Sequence, residues 1–220
     1  TGICLLAYVD DTLIKSPATP AGRAALADLV AYLQSRYRYT DKGAADEFTG
    51  IRITRPDAHT IVLSMDTYAD SVIDRHNQAD AHPVSHPAVP NAVLSESDCP
   101  STDAERARLA DLPYRNRVGD LGWLSRCARP DLAYATGALA RVSHNPGLAH
   151  WHASTHALRY LKGRPHDAIT YRRTGRPLIV YVDSDYLPDY GTRFDNRRST
   201  TGWVAFHAGA AVRWCSRRQS

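Results

Sequence analysis

No apolar run in this 220-residue sequence is long enough to span a membrane. The first residues also lack the basic segment and short apolar stretch that mark a secretory signal peptide. With 43% hydrophobic and 23% charged residues, the composition is that of an ordinary soluble globular protein with one or two domains. These features predict an intracellular protein without a membrane partner.

The sequence has only four cysteines, Cys4, Cys99, Cys127 and Cys215. No two of them have the Cys-x-x-Cys spacing, so the sequence indicates neither a zinc site nor a disulfide framework. Reduced thiols are the expected state in an intracellular protein. The chain opens on Thr1 and not on an initiator Met, so we expect it to be a piece of a longer protein.

Positive charge is scarce in the first half of the chain and abundant in the second. Residues 1–110 contain 10 Lys and Arg against 15 Asp and Glu, whereas residues 111–220 contain 17 against 8. A basic half next to a carboxylate-rich half suits a nucleic-acid duplex that one part binds and the other part processes. The alternative is a solvated basic surface without a partner.

Two adjacent carboxylates, Asp10 and Asp11, interrupt an apolar run over residues 5–14. The apolar segments on either side predict two buried strands with the carboxylates at the turn between them. Because unpaired carboxylates are costly to bury, they require an exposed position or a cation. Mg²⁺ binds carboxylate oxygens together with substrate phosphates, and paired metal ions promote phosphoryl transfer. An ordinary polar turn is the alternative.

Apolar spacing predicts the other elements of the first 78 residues. We expect a core helix over about residues 21–37 and a second hairpin from residues 48–53 and 60–64. Asp66 is expected to cap a helix that runs to about Arg75.

The remainder of the chain predicts a linker, then a helical region and then strands. Residues 79–101 contain four prolines and predict an extended linker. Thr102 and Glu105 have the spacing of a capping box, and three apolar stripes at helical spacing follow, which predicts a small helical bundle. Residues 178–182 then predict a buried strand that ends on Asp183, with further strands after it.

The stretch Tyr8-Val9-Asp10-Asp11 resembles the catalytic hairpin of reverse transcriptases. Six further segments resemble copia-type retrotransposon polyproteins, in the order of that family: residues 114–124, 129–134, 150–151, 158–163, 181–185 and 198–203. Because the segments extend across nearly the whole chain, the sequence is identified as a member of this family.

The resemblance implies an α+β fold in four parts. Residues 1–78 would form the C-terminal half of the polymerase palm, and residues 79–101 a Pro-rich linker. Residues 102–176 would form the helical thumb and connection, and residues 177–220 the first strands of an RNase H-like fold.

The resemblance also assigns roles to three carboxylates. Asp10 and Asp11 would hold Mg²⁺ in the two-metal polymerase site, and Asp183 would be the first metal ligand of RNase H. The family places a third palm carboxylate well upstream of the hairpin, and further RNase H ligands after a stretch like residues 217–219. We therefore expect both metal sites to be incomplete within these 220 residues, and the chain to be inactive when isolated.

Five arginines of the second half are candidate phosphate contacts: Arg115, Arg117, Arg126, Arg129 and Arg141. Arginine suits bidentate contact with phosphate, which positions a duplex without reading its sequence. The alternative for each of them is plain solvent exposure.

The function implied by the resemblance is RNA-directed DNA synthesis with degradation of the RNA strand of the hybrid. Its partners would be a template–primer duplex or RNA–DNA hybrid, deoxynucleotides and the remainder of the polyprotein, in a cytoplasmic particle or the nucleus. Two alternatives stay open, a catalytically dead nucleic-acid-binding module and a degenerate transposon remnant. Asp120 stands where the family usually has a small or uncharged residue, which indicates relaxed constraint.

Overall fold

The computed structural model describes residues 2–90, 92, 94–185 and 199–219. Helices and small antiparallel sheets are mixed along the chain, as the α+β class predicts. The chain divides into two compact units, residues 1–54 and residues 55–220. No helix among the described residues is long and apolar enough to cross a membrane.

The first unit contains the predicted hairpin, formed by strands β1 (Cys4–Tyr8) and β2 (Asp11–Lys15). Helix α1 (Pro20–Arg36) follows, and the short strand β3 (Glu47–Phe48) pairs with the start of β4 (Ile51–Asp57). The hairpin and α1 were both predicted from apolar spacing, and both are present.

The burial predicted for the first unit was wrong. The apolar stripe of α1 is only half-buried, and Gly22 is the only fully buried residue of that helix. Leu5, Leu6 and Tyr8 of β1 are 46%, 55% and 52% exposed. Among the described residues, the hairpin is a two-stranded sheet on its own, so no third strand extends it.

The second unit begins within β4 and holds most of the elements. They are β5 (Thr60–Ser64), α2 (Asp66–Arg75), α3 (Asp103–Leu109), α4 (Tyr114–Cys127), α5 (Ala133–Arg141), α6 (Leu148–Gly163), β6 (Ile169–Arg172), β7 (Ile179–Asp185), β8 (Thr200–His207) and β9 (Ala210–Arg218). Single 3₁₀ turns lie in the predicted linker and just before α5.

The core of the second unit lies among its helices. Its fully buried leucines are Leu121 and Leu124 of α4, Leu132 and Leu139 at α5, and Leu158 and Leu161 of α6. These residues belong to the three stripes that predicted the helical bundle. Together they remove a large apolar area from water, which is the main driving force for this packing.

The helix starts were predicted with mixed success. The capping box before α3 is confirmed, since Thr102 Oγ1 accepts from Glu105 N and Glu105 Oε2 accepts from Thr102 N, both at 3.2 Å. The predicted cap residue of α2 was wrong. Asp66 is the first residue of that helix, and Met65 occupies the cap position without a side-chain hydrogen bond.

Two antiparallel sheets complete the second unit. Strand β5 pairs with β6, and the end of β4 lies beside β5, so the predicted second hairpin is present. Strands β7, β8 and β9 form a three-stranded sheet in that order. The strand predicted as buried is β7, but its residues from Ile179 to Val182 are 39% to 68% exposed. It is an edge strand that pairs only with β8 among the described residues, which explains the exposure.

Candidate carboxylate hairpin and arginine groove

The turn of the first hairpin consists of two residues. Tyr8 pairs with Asp11, which leaves Val9 and Asp10 between the strands. Val9 has a φ of 54°, in the left-handed region, whereas Asp10 does not have a positive φ. Glycine is the usual residue at the first position, and a β-branched residue there is strained. The side chain of Val9 is 91% exposed, so burial does not compensate for this strain.

This turn places the two predicted polymerase carboxylates side by side at the tip. Asp10 and Asp11 are both exposed, and neither carboxylate forms a hydrogen bond or ion pair with a described residue. Such a pair suits Mg²⁺, which proteins often bind through one or two carboxylates plus phosphate oxygens and water. Across the described ranges, no group of three or more His, Cys, Asp or Glu could hold a metal. The turn thus presents two exposed carboxylates without a third metal-binding side chain from the described residues.

The third predicted carboxylate, Asp183, lies within β7 and not at its end. It is exposed, it pairs across the ladder with Gly202, and its Oδ1 accepts from Ser184 N at 2.8 Å. It lines an open, mostly apolar cavity together with Tyr181 and Trp203. The strand thus presents one carboxylate at the rim of an aromatic cavity.

Buried Arg129 forms an ion pair with Asp131, whose side chain is 31% exposed. Arg129 is 2% exposed, and its Nε lies 3.0 and 3.2 Å from the two carboxylate oxygens of Asp131. Its Nη1 donates to the carbonyl of Arg164 at 2.6 Å. Although burial acts to lower the pKa of Arg129, the hydrogen bonds and charge of Asp131 outweigh it and raise that pKa. The geometry gives Arg129 a structural role.

Arg117 is buried as well, against neutral partners. Its guanidinium lies 3.5 Å from the ring centroid of Trp151, and Nη1 donates to Thr155 Oγ1 at 2.7 Å. Burial lowers the pKa of Arg117 to about 10, and its Nε has no hydrogen-bond partner. Cation–π contact and hydroxyl hydrogen bonds thus replace water around this charge.

The other three predicted arginines are exposed. Arg115 Nε donates to the carbonyl of Ser143 at 2.9 Å. Arg126 and Arg141 form no hydrogen bond or ion pair with a described residue.

Sequence reasoning missed the arginines of β9. Arg213 and Arg217 line the same groove as Arg126, between α4, α5 and β9, and Arg217 also lies next to Arg141. We call the surface formed by Arg126, Arg141, Arg213 and Arg217 the arginine groove. The only available signal was the density of arginine near the end of the chain.

Asp120, which the sequence left without a partner, lies at the contact of α2 and α4. Its carboxylate accepts from Tyr68 Oη at 3.0 Å and Arg75 Nη1 at 2.8 Å, and it lies 2.8 Å from His76 Nε2. Burial lowers the pKa of His76, against the opposing effect of Asp120. The charge on α4 is therefore compensated from α2.

Sequence comparisons relate the chain to proteins encoded by transposons. It is 35% identical over 218 residues to the retrovirus-related Pol polyprotein from transposon TNT 1-94 of Nicotiana tabacum, which covers 99% of the chain and 16% of that protein. It is 30% identical over 218 residues to the Pol polyprotein from transposon RE2 of Arabidopsis thaliana, which covers 99% of the chain and 14% of that protein. The chain thus spans a small part of these polyproteins.

A shorter relative matches over most of its own length. The chain is 30% identical over 217 residues to an uncharacterized mitochondrial protein of Arabidopsis thaliana, covering 98% of the chain and 83% of that protein. No family model matches the chain. No solved structure matches it either. The chain belongs to one family with this mitochondrial protein and with the retrovirus-related Pol polyproteins of plant transposons.

Proposed function

We propose that the chain is the part of a copia-type reverse transcriptase that extends from the catalytic hairpin of the palm to the first strands of RNase H. The observation that carries this proposal is the two-residue turn that exposes Asp10 and Asp11 together. The parent activity is RNA-directed DNA synthesis, in which a primer 3′-hydroxyl attacks the α-phosphate of a nucleotide.

Asp10 and Asp11 hold Mg²⁺ in this proposal. The metal, when bound, polarises phosphate oxygens and stabilises the charge that develops during transfer. The hairpin positions the two carboxylates, which belong to consecutive residues at the turn. The exposed tip of the hairpin admits a large substrate. The strained φ at Val9 aligns the turn between Tyr8 and Asp11, a cost in free energy that is common at functional sites.

A catalytically dead nucleic-acid-binding module is the second candidate. The arginine groove favours it, because phosphate binding requires exposed positive charge and no metal. The basic second half of the chain then binds an RNA–DNA duplex weakly and without sequence preference, and the affinity falls as salt rises.

Paramagnetic Mn²⁺, a substitute for Mg²⁺, tests the metal site on the chain itself. We expect Mn²⁺ to broaden the backbone NMR signals around Asp10 and Asp11 at low occupancy. Asp10→Asn with Asp11→Asn should abolish the broadening, because both oxygen ligands lose their charge. Asp28→Asn, which removes an exposed carboxylate of α1, is the matched control and should leave it unchanged. Equal broadening at all exposed carboxylates would contradict the site.

A chimaera separates the enzyme from the binding module. In it, the chain replaces the matching 218 residues of the tobacco Pol polyprotein. Primer extension that is present in the chimaera and lost with Asp10→Asn supports the enzyme. A chimaera that binds template–primer but does not extend it favours the binding module.

A further inference from the structure

The arginine groove is continuous along one side of the second unit. A cavity of about 790 Å³ lies between α4, α5 and β9, and a second of about 280 Å³ adjoins it. The two share Gly137, Ser216 and Arg217 as lining residues. A long ligand can therefore pass from one to the other.

The described charged residues of this groove are all arginines. Arg126, Arg213 and Arg217 line the larger cavity, Arg141, Arg217 and Arg218 line the smaller one, and neither cavity is lined by an Asp or Glu from the part of the chain that the structure describes. Arg126, Arg141 and Arg217 are exposed and form no hydrogen bond or ion pair with a described residue. Several arginines elsewhere have carboxylate partners, as in the pairs Arg106–Asp103 and Arg129–Asp131. The groove thus concentrates arginines, and the side chains of Arg126, Arg141 and Arg217 have no carboxylate partner among the described residues.

Aromatic side chains and small residues also line the groove. Trp123 and Trp214 line the larger cavity, and Tyr134, which is 52% exposed, lines the smaller one. Trp214 is held in place because its Nε1 donates to the carbonyl of Ser125 at 2.7 Å. Five small residues of α4 and α5 also line the larger cavity: Gly119, Gly122, Ala133, Gly137 and Ala140.

We propose that this groove binds a single strand of nucleic acid, with phosphates on the arginines and bases stacked on the aromatic rings. Proteins that bind single strands combine these two features. The aromatic side chains favour a single strand over a duplex, because the bases of a duplex are already stacked on one another and do not stack on protein rings. An acidic peptide would use the charge but not the aromatic walls. The inference rests on the proposed function only in that the chain handles nucleic acid.

The test uses paired variants with equal charge loss. Arg126→Gln with Arg217→Gln removes two groove charges, and Arg173→Gln with Arg176→Gln removes two exposed charges outside the groove. Fluorescence anisotropy measures binding of labelled oligo(dT), a blunt RNA–DNA duplex and a poly-Glu peptide over a salt series. We expect the groove variant to lose roughly tenfold in oligo(dT) affinity, and its salt slope to fall by about 1.4. The control variant should behave like the wild type.

Other outcomes would overturn the inference. If both variants lose oligo(dT) affinity equally, or if poly-Glu binds as tightly as oligo(dT), the arginines form an unspecific basic surface. Oligo(dT) affinity that the groove variant retains in full contradicts the groove, and salt-dependent duplex binding by the same protein leaves the proposed function standing. No binding to any nucleic acid by the wild type contradicts both.

A thiol in the groove gives an independent readout of location. Cys215 lines the larger cavity, whereas Cys4 is exposed in the first unit. Saturating oligo(dT) should slow the alkylation of Cys215 several-fold and leave the alkylation rate of Cys4 unchanged. Mass spectrometry measures both rates. The groove variant should lose this protection. Unchanged alkylation of Cys215 while oligo(dT) is bound places the strand elsewhere.

Discussion

Tyr68 and Arg75 of α2, together with His76 directly after that helix, donate to the carboxylate of Asp120 on α4. The side chains of Asp120 and His76 are 13% and 2% exposed, whereas that of Arg75 is 49% exposed. We expect Asp120→Asn to lower the free energy of unfolding by about 1–3 kcal/mol, because buried His76 and its neighbours Tyr68 and Arg75 lose a charged acceptor. Urea unfolding followed by circular dichroism measures this. Asp103→Asn removes a carboxylate that is 99% exposed and should have a much smaller effect. Equal effects of the two substitutions would mean that the contact between α2 and α4 does not depend on the charge of Asp120.

His150 is fully buried, and its hydrogen bonds fix one neutral tautomer. Its Nδ1 accepts from Gly147 N at 2.8 Å, and its Nε2 donates to the carbonyl of Ser95 at 3.0 Å. A second proton would displace the bond to Gly147. Burial lowers the pKa of His150, as it does that of His76.

Because of these two histidines, we expect the free energy of unfolding to decrease in acid. Because their pKa values are lower in the folded state, the unfolded chain binds more protons, and stability falls as the pH drops below about 6.5. The slope is at most about 2.7 kcal/mol per pH unit for two protons. Urea unfolding between pH 8 and pH 5 checks this. His76→Gln should flatten the profile, and exposed His144→Gln should not. Stability that is constant or rises towards pH 5 would contradict the prediction.

At the scale of elements, we expect alanine substitutions at two helix glycines to change stability in opposite directions. Gly147 immediately precedes α6, and a Cβ there would collide with the backbone carbonyl of Asp98, so Gly147→Ala should destabilise the protein. Gly119 lies inside α4 with open space around it, so Gly119→Ala should raise the free energy of unfolding by about 0.5–1 kcal/mol. Thermal unfolding measures both, and a shift in the same direction for the two variants would refute the argument.

Sequence patterns predicted elements better than they predicted burial. The stripes of α4, α5 and α6 were correct because these helices pack on one another, and packing is what periodicity records. The apolar runs of β1 and β7 have the same appearance in the sequence, yet both strands are exposed. Periodicity identifies an apolar face but not what covers it.

The candidate site was predictable only where a motif fixed it. The hairpin motif located Asp10 and Asp11 at a turn, as the structure has them. The arginines carried no such signal, because exposure depends on neighbours distant in sequence. Trp151 and Thr155 surround Arg117, whereas Arg126 faces a groove.

For the whole molecule, we expect no DNA synthesis from the 220-residue chain alone. Across the described residues, Asp10 and Asp11 are not joined by a third metal-binding side chain. A primer-extension assay on poly(rA)/oligo(dT) with Mg²⁺ measures this, and extension that Asp10→Asn abolishes would refute it.

The same reasoning applies to RNase H. Asp183 is not part of a group of three metal-binding residues within the described ranges, so the chain should not cleave the RNA of a hybrid. Release of labelled RNA fragments that disappears with Asp183→Asn would show otherwise.

The pairing of β5 with β6 has a consequence for how the chain folds. Leu63 faces Ile169 in that ladder, so more than 100 residues, including α2 to α6, lie between two adjacent strands. On the ribosome, β5 emerges long before its partner exists. Contacts this distant in sequence are slow to form because a long loop must close first. The helices therefore have to assemble early and bring the strands together, and the rate of refolding should depend on helix contacts more than on the ladder that they enclose.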